Sequence, residues 1–356
     1  MKTLQELTGE AIELLKQLIE TPSFSGEEGE TALLIEKWFV DHTITYKRNR
    51  HNVWAVNKHF DASKPTVLLN SHHDTVKPNN GYTKDPLKSI VEGEKLYGLG
   101  SNDAGGCLVS LMAVFTHFYN HKNLKYNLVI VASAEEENSG DNGLNSMLPI
   151  IPKIEVAIVG EPTLMNVAVA EKGLVVFDAE VKGRPSHAAH INSNNAIYNT
   201  IPVLKWFQDF KFEKTSDTLG DVKMTVTQIH AGKQHNAVPA HVKLVIDVRV
   251  NDRYSNQDIV AILQEHAPCD KITPRGLKLN SSSIPIEHEL VQAGIALGRK
   301  TYGSPTLSDQ ATLTCPSLKL GPGDSARSHS ADEFIYIHEI KEGIKIYIDL
   351  LNKVIV

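Results

Sequence analysis

Four short, almost wholly apolar runs constrain the fold of this chain more than any other feature. They are Val67–Leu69, Leu128–Ala132, Val156–Val159 and, more weakly, Leu318–Leu320. Apolar runs of this length without alternating polar positions are typical of strands in a sheet covered on both faces. The sequence therefore predicts an α/β domain whose central strands are buried on both sides.

Polar residues come just after each of these runs. They are, in chain order, His72, His73 and Asp74, then the glutamates 135–137, then Glu161, and finally Asp324 and His329. Ligand sites of open α/β sheets lie beyond the carboxyl ends of the strands. We therefore expect four strand ends to converge on one acidic pocket that contains histidine.

The stretch 174–283 has a different pattern. It predicts strands over 174–182, 222–229, 241–250 and 271–279, and helices over 195–210 and 256–266. The order β-α-β-β-α-β is that of the ferredoxin-like split βαβ arrangement, which makes a self-contained domain. We predict that this domain, 174–283, is inserted into a discontinuous α/β domain of 1–173 and 284–356 with a doubly wound mixed sheet. Helices over 287–299 and 339–352 would return the chain to that sheet.

Two helices are predicted before the first apolar run. Apolar residues from Leu4 to Leu18 recur at intervals of three and four, which is one face of a helix, and Thr21-Pro22 ends it. Ser25 followed three residues later by Glu28 has the pattern of a capping box, so we predict that these two residues begin the second helix.

The charge balance argues against several classes of partner. The 356 residues include 36 basic and 42 acidic side chains, a formal net charge of −6, with no long run of lysine or arginine. Nucleic acids and anionic membranes need clustered positive charge, and no apolar run approaches the ~18 residues of a membrane span. The three cysteines lie far apart without CxxC spacing, which argues against disulfides and thiolate zinc sites. We expect a cytoplasmic protein that binds a small polar ligand, not nucleic acid or a membrane.

The histidines and acids at the strand ends offer imidazole nitrogen and carboxylate oxygen without sulfur. That donor set suits Zn²⁺, Mn²⁺ or Co²⁺ in a catalytic site with an open position, and several carboxylates in one cleft favour two cations. Each motif also has a simpler interpretation: a hydrogen-bonded turn at His72-His73-Asp74, a solvated face at 135–137, and a turn at Gly160-Glu161-Pro162. Their joint position after successive apolar runs favours the metal site.

These motifs together resemble the dinuclear-zinc M20 metallopeptidase family. The resemblance covers nearly the whole chain. It rests on LLNSHHDTV, LYGLGSNDAGG, ASAEEENSG, VGEPT, SHAAH, NAVP and GPGDSARSHSADE, which occur in the family's order.

The resemblance implies a ligand set for two zinc ions, with Co or Mn as substitutes. His72 and Glu161 would hold one ion, Glu137 and His329 would hold the other, and Asp103 would bridge them. Asp74 would hydrogen-bond the imidazole of His72, and Glu136 would be the general base. Two alternatives stay open: a one-residue slip that makes Glu135 the base and Glu136 the ligand, and His73 in place of His72.

The resemblance also implies that the inserted domain contributes to the site of a partner subunit. His187 matches the histidine that stabilises the oxyanion across a homodimer, although an ordinary surface histidine is the simpler interpretation. Arg249 and Asn236 match positions that hold the substrate's α-carboxylate, and Gly323 and Ser325 could offer backbone N–H groups to it. A structural ion pair between Arg249 and Asp247 is the alternative.

Among the branches of the family, the short chain and the VGEPT and EEENSG runs most resemble acetylornithine and acetyl-lysine deacetylases. This implies that the substrate is a small N-acyl amino acid, N²-acetylornithine first. A dipeptidase, tripeptidase or carboxypeptidase is the alternative activity. A metal-binding regulatory protein without catalysis is a minor alternative, which the presence of Glu136 disfavours.

Overall fold

The computed structural model describes residues 2–356. The helices are α1 (Leu4–Glu20), α2 (Gly29–Asp41), α3 (Gly106–Phe118), α4 (Leu144–Met147), α5 (Ala196–Asp209), α6 (Asn256–His266), α7 (Glu289–Ala296) and α8 (Ile337–Val354). The strands are β1 (Tyr46–Asn49), β2 (Asn52–Val56), β3 (Thr66–His72), β4 (Ile90–Glu92), β5 (Lys95–Tyr97), β6 (Asn127–Ser133), β7 (Val156–Val159), β8 (Val167–Glu171), β9 (Gly173–Lys182), β10 (Ser186–His187), β11 (Lys223–Ala231), β12 (Ala237–Val238), β13 (His241–Val250), β14 (Lys271–Pro274), β15 (Ser282–Ser283), β16 (Thr301–Ser304), β17 (Ser317–Lys319) and β18 (Phe334–Tyr336). None of the helices in this range has both the length and the apolar character needed to cross a membrane.

The described residues form two compact units, each with its own hydrophobic core. The first comprises the chain up to Val169 together with 283–302 and 308–356, and the second comprises 170–282 and 303–307.

The first unit is built on a large mixed sheet with the strand order β1-β2-β6-β3-β7-β17-β8. Strands β6, β3, β7 and β17 are parallel, whereas β1, β2 and β8 run antiparallel to their neighbours. The four apolar runs of the sequence are these four parallel strands. Their carboxyl ends therefore lie at one edge of the sheet.

Both faces of this sheet are covered. Successive side chains of a strand point to opposite faces, and alternate residues of β3 pack in two different apolar clusters. Val67 and Leu69 of β3 pack with helices α1, α2, α3 and α8, whereas Leu68 packs with Trp54 and Met147 under the short helix α4. Every residue of β3 is buried. Polar groups at the end of such a strand have little freedom to move.

The first two helices begin differently. A capping box between Thr3 and Glu6 begins α1. The capping box predicted from Ser25 and Glu28 is wrong, because α2 begins at Gly29 without a side-chain cap. Ser25 Oγ instead donates to Asp74 Oδ2 at 2.7 Å, and the buried Glu28 carboxylate binds His51 Nδ1 at 2.7 Å. Tertiary partners have taken the groups that a local cap would have used.

The second unit contains an antiparallel sheet with the strand order β11-β13-β9-β14. Its elements follow the predicted order, β9-α5-β11-β13-α6-β14, and a short ribbon of β10 and β12 is added. The last strand ends at Pro274 instead of 279. Proline supplies no N–H to the ladder and Gly276 follows two residues later, so the sequence itself ends the strand there.

Candidate metal centre

His72 is the last residue of β3, and its side chain is 1% exposed. Its Nδ1 donates to the main-chain oxygen of Asp74 at 3.0 Å, which places the proton of the neutral ring on Nδ1 and the lone pair on Nε2. Within the described residues, this buried Nε2 has no hydrogen-bond partner. It lies 3.4 Å from Asp103 Oδ1 and 3.9 Å from Glu161 Oε1. A buried ring nitrogen that faces two carboxylates is an arrangement that would suit a bound cation.

Asp103 lies between two histidines. It belongs to the short helical turn Ser101–Gly105 before α3, and the peptide bond that follows it is cis. Its Oδ1 faces His72, and its Oδ2 is 3.7 Å from Nε2 of His329. One carboxylate therefore presents an oxygen to each side of the cluster, as a bridging ligand would.

The glutamates 135–137 follow β6 and point in different directions. The carboxylate of Glu135 accepts the backbone and side-chain N–H groups of Asn142 at 3.0 and 2.8 Å. The carboxylates of Glu136 and Glu137 instead face His72, each within a group of candidate ligand atoms that lie within 4.8 Å of one another. Glu137 also binds His329 Nε2, at 2.9 Å through Oε2.

Asp74 holds the backbone of the segment 135–137 in place. Its carboxylate accepts the backbone N–H groups of Glu136 and Glu137, both at 3.1 Å, and the hydroxyl of Ser25. Its Oδ1 is 3.3 Å from His72 Nδ1, slightly farther than its own main-chain oxygen. Burial opposes ionisation, but the hydrogen bonds from His72, Ser25 and Glu137 lower the pKa of Asp74 to about 2. A fixed negative charge therefore sits behind the imidazole.

Negative charge is crowded in this cluster. Burial and the neighbouring Asp103 raise the pKa of Glu161 to about 8, and burial raises the pKa of Glu136 well above its ordinary value. Burial favours a neutral His72, but Asp103 and Asp74 raise the pKa of this ring well above its usual range. The carboxylates thus draw protons into a space where divalent cations would compensate them. Imidazole and carboxylate donors without sulfur fit Zn²⁺, Mn²⁺ or Co²⁺.

His73, the alternative ligand, is turned away from the cluster. Its Nδ1 binds Thr31 Oγ1 at 2.9 Å and its Nε2 binds the main-chain oxygen of His51 at 3.0 Å. Burial lowers the pKa of His73 to about 4, so the ring is neutral at physiological pH. Both of its nitrogens are already used on the opposite side of the strand.

Three of the predicted residues lie in the second unit. His187 is exposed on the ribbon, where it pairs with Ala237, and the exposed Asn236 directly precedes β12. The Nδ1 of His187 accepts the Ala189 N–H at 3.1 Å, so Nε2 holds the proton of the neutral ring. Arg249 donates to both oxygens of Asp247, through Nε at 2.9 Å and Nη2 at 3.1 Å. The ion pair that the sequence left open is therefore formed, and an incoming carboxylate would have to share this guanidinium.

The loop around Gly323 and Ser325 follows β17. The Gly321 N–H already donates to Thr163 Oγ1 and the Asp324 N–H to Asn102 Oδ1. Gly323 has φ +91° and is packed so closely that a Cβ would lie 2.5 Å from Asn102 Oδ1, so only glycine fits. The backbone N–H groups of Gly323 and Ser325, the two donors predicted from the sequence, remain the candidates in this loop for binding a carboxylate.

Three acids near the cluster were not predicted from the sequence. Glu333 binds the turn that carries Asp103, buried Asp309 accepts from Ser133 Oγ at 2.6 Å, and Glu28 accepts the Glu135 N–H at 3.1 Å. Burial raises the pKa of Glu333 to about 8 and that of Asp309 to about 6. Glu333 is the last residue of the run GPGDSARSHSADE and stands four residues after His329. Nothing in that run distinguished it as a buried residue, because such polar stretches usually form exposed loops.

Comparisons with known proteins agree with this architecture. An acetylornithine deacetylase of Erwinia tasmaniensis is 28% identical over 359 aligned positions, covering 91% of this chain and 92% of the relative. A tripeptidase structure from Staphylococcus aureus superposes with a TM-score of 0.76 at 17% identity, covering 97% of both chains. A dinuclear metal-binding M20 peptidase structure from Bacillus subtilis superposes with a TM-score of 0.72 at 13% identity, covering 98% of both chains.

These structures confirm the predicted fold class, a mixed α/β protein with a large mixed sheet. The model of peptidase family M20/M25/M40 matches residues 68–353. That range includes the strand ends, the inserted unit and the loop of His329, and members of the family are metal-dependent hydrolases. The chain therefore belongs to peptidase family M20/M25/M40.

Proposed function

We propose that this enzyme removes the acyl group from a small N-acyl amino acid, with N²-acetylornithine as the first candidate substrate. The observation that carries the proposal is the buried ring nitrogen Nε2 of His72, which faces Asp103 and Glu161 beside the half-buried carboxylate of Glu136. Relatives named acetylornithine deacetylase, alignable over about nine-tenths of the chain, support the choice of substrate.

In this proposal His72 and Glu161 would hold one divalent cation, Glu137 and His329 would hold a second, and Asp103 would be a ligand of both. Zn²⁺ is the first candidate, with Co²⁺ or Mn²⁺ as substitutes. Two bound cations would supply Lewis acidity that polarises the acyl carbonyl and lowers the pKa of water.

Glu136 is the proposed general base. Its backbone N–H is fixed by Asp74, and its carboxylate faces the cluster. The raised pKa of Glu136 makes it a stronger proton acceptor than an exposed glutamate. The carboxylate takes a proton from the attacking water as the new C–O bond forms. It returns that proton to the amide nitrogen when the C–N bond breaks, so a free carboxylic acid and a free amine leave.

His187 of a second copy is the proposed donor to the developing oxyanion. The neutral tautomer, with Nδ1 accepting from Ala189, leaves the Nε2 proton free to donate. The second unit also offers a surface for a homodimer: β11 is an edge strand, and Tyr198, Ile201 and Ile229 are exposed apolar side chains on α5 and β11. Unpaired strand edges and exposed apolar side chains favour association with another chain.

The substrate's α-carboxylate is the proposed ligand of Arg249, Asn236, Gly323 and Ser325. The guanidinium of Arg249 keeps its Nη1 donors while Nε and Nη2 bind Asp247.

A turnover panel tests the proposal. Purified enzyme loaded with Zn²⁺ or Co²⁺ is assayed on N²-acetylornithine, N-succinylornithine, N-acetylcitrulline, N-acetyl-lysine and several dipeptides, with chelated enzyme as the control. We expect the highest kcat/KM on an N-acyl amino acid. Rapid cleavage of dipeptides with none of the acylamino acids would identify a peptidase instead. No turnover of any compound, with metal bound, would favour the non-catalytic alternative.

A further inference from the structure

Glu333 connects the two loops that carry candidate metal ligands. It is the fifth residue of the segment His329–Glu333, and it is only 2% exposed. Its Oε1 accepts the backbone N–H of Asn102 at 2.8 Å and that of Asp103 at 2.9 Å. Its own main-chain oxygen accepts the N–H of Gly98 at 3.0 Å. A single buried side chain thus joins the His329 segment to the turn that presents Asp103.

We propose that Glu333 is a positioning residue, which orients the carboxylate of Asp103 between the two cation positions by accepting these two backbone N–H groups. The inference rests on the metal centre proposed above, but not on the identity of the substrate.

The backbone at Asp103 needs such an acceptor. Asp103 and Ala104 have non-helical φ and ψ angles inside the turn Ser101–Gly105, so the N–H of Asp103 is not held as it would be within a regular helix. A buried N–H without an acceptor is costly. The bond to Glu333 fixes the peptide plane before Asp103 and, with it, the direction of the Cα–Cβ bond.

The orientation of the Asp103 carboxylate determines its distance to both histidines. Its two oxygens are 3.4 Å from Nε2 of His72 and 3.7 Å from Nε2 of His329. Rotation of this carboxylate would change both distances at once. Loss of the Glu333 contact is therefore expected to weaken both cation positions together, although Glu333 binds no cation itself.

Asp332 provides a matched control. It is the adjacent acid in the same segment, and it holds the other side of the loop by accepting the N–H groups of Thr83 and Lys84 at 2.8 and 2.9 Å. None of the hydrogen bonds that the structure shows for Asp332 reaches the turn that carries Asp103. Asp332→Ala removes this acceptor and should loosen the His329 segment alone, and so weaken chiefly the cation position of Glu137 and His329.

The experiment compares metal binding by full-length wild type and by Glu333→Leu, Glu333→Asp, Glu333→Gln and Asp332→Ala. Zn²⁺ is titrated into chelated protein against a competing chromophoric chelator, and the visible spectrum of bound Co²⁺ reports ligand geometry. Near-ultraviolet circular dichroism of each variant checks the fold. Glu333→Leu removes the acceptor, Glu333→Asp keeps the charge but shortens its reach, and Glu333→Gln keeps an oxygen that can accept both N–H groups.

We expect Glu333→Leu and Glu333→Asp to lower the affinity for both ions about 10–100-fold, the range typical for groups that hold metal ligands in place. Glu333→Gln should bind close to wild type with an unchanged Co²⁺ spectrum. If Glu333→Leu does not fold, Glu333→Asp carries the test.

Three outcomes would overturn the inference: wild-type affinity in the folded Leu or Asp variants, a loss in Glu333→Gln as large as in Glu333→Leu, or the loss of one ion only. The second would show that charge acts here and not the acceptance of the two N–H groups. A wild type that binds no divalent cation would instead overturn the metal centre itself. Absence of turnover on acylamino acids would leave the role of Glu333 intact.

Discussion

The two histidines of the candidate centre are held by different kinds of backbone. His72 ends a strand flanked by parallel neighbours, and its side chain is 1% exposed. His329 lies in a loop with φ +57°, and its side chain is 53% exposed. Asn79 Nδ2 donates to the main-chain oxygen of His329 at 3.1 Å, and Glu137 binds its ring.

The site therefore has two halves. The strand ends of the sheet position the half that contains His72, whereas contacts between side chains and loops position the half that contains His329. The His72 half is fixed by strand register and by Asp74, so its geometry forms as the core folds. The His329 half depends on contacts between distant loops, in which Glu137 is the main partner of the ring. We therefore expect the two halves to respond differently when a ligand is removed.

The largest expected effect falls between the halves, on Glu136. Glu136→Gln should lower kcat by about 10²–10⁴-fold, because the amide cannot accept a proton from water. Metal content should stay at the wild-type value, since Glu136 is not a proposed ligand. Steady-state kinetics together with elemental analysis of the purified variant check both expectations.

Glu135→Gln is the matched control for that variant. Its carboxylate binds Asn142 and not the cluster, so kcat should change little. If Glu135→Gln loses turnover while Glu136→Gln retains it, the general base has been assigned one residue too late.

Removal of each histidine tests the comparison directly. In chelated protein, His72→Ala should lower the free energy of unfolding by about 3–5 kcal/mol, because it leaves buried carboxylates without their partner. His329→Ala should cost about 1 kcal/mol or less, because the ring is half exposed. Urea unfolding followed by circular dichroism measures both. Equal losses would show that the two halves are equally integral to the fold.

The sequence predicted the sheet half of the site more fully than the loop half. The apolar runs correspond to β3, β6, β7 and β17, and the residues after them lie at one edge because parallel strands share a direction. The groups His72-His73-Asp74 and 135–137, together with Glu161, could be placed at that edge in this way. The strand ends alone did not decide which histidine or which glutamate faces the cluster. The order of elements in the inserted unit was also readable, because its helices and strands have clear periods.

Long-range side-chain contacts could not be read from the sequence. Ser25 and Glu28 have the spacing of a local cap, yet each binds a group more than twenty residues away, Asp74 and His51 respectively. Glu333 lies in a polar stretch, and only the folded chain shows that it is buried. A local pattern cannot reveal which distant group will compete for a side chain.

Chelation should expose a pH dependence that differs between the halves. The pKa of Glu161 is raised from 4.5 to about 8, mainly by burial, so the stability of the chelated protein should fall as pH rises through that interval. Glu137 raises the pKa of His329 from 6.5 to about 9, so the stability from that pair is present below 6.5 and is lost as pH rises towards 9.

His329→Ala should therefore remove only the upper part of this pH dependence, and saturating Zn²⁺ should remove most of it. Urea unfolding across the interval, with and without metal, measures both. If the free energy of unfolding of the chelated wild type is constant from pH 4.5 to pH 9, the pKa values of Glu161 and His329 are not raised, and the carboxylates are not crowded.

The smallest expected effect concerns Ser25, which precedes α2 and donates a hydrogen bond to Asp74 in the half of the site that contains His72. Ser25→Ala should lower the free energy of unfolding by about 1.5 kcal/mol, because the ionised Asp74 loses a hydroxyl donor. Ser25→Asp separates this role from helix capping, since aspartate is a good N-cap but places a negative charge against Asp74. We expect the Asp variant to be less stable than the Ala variant in urea unfolding. If aspartate restores stability instead, Ser25 acts on α2 after all, and Asp74 holds the glutamates of the site without its help.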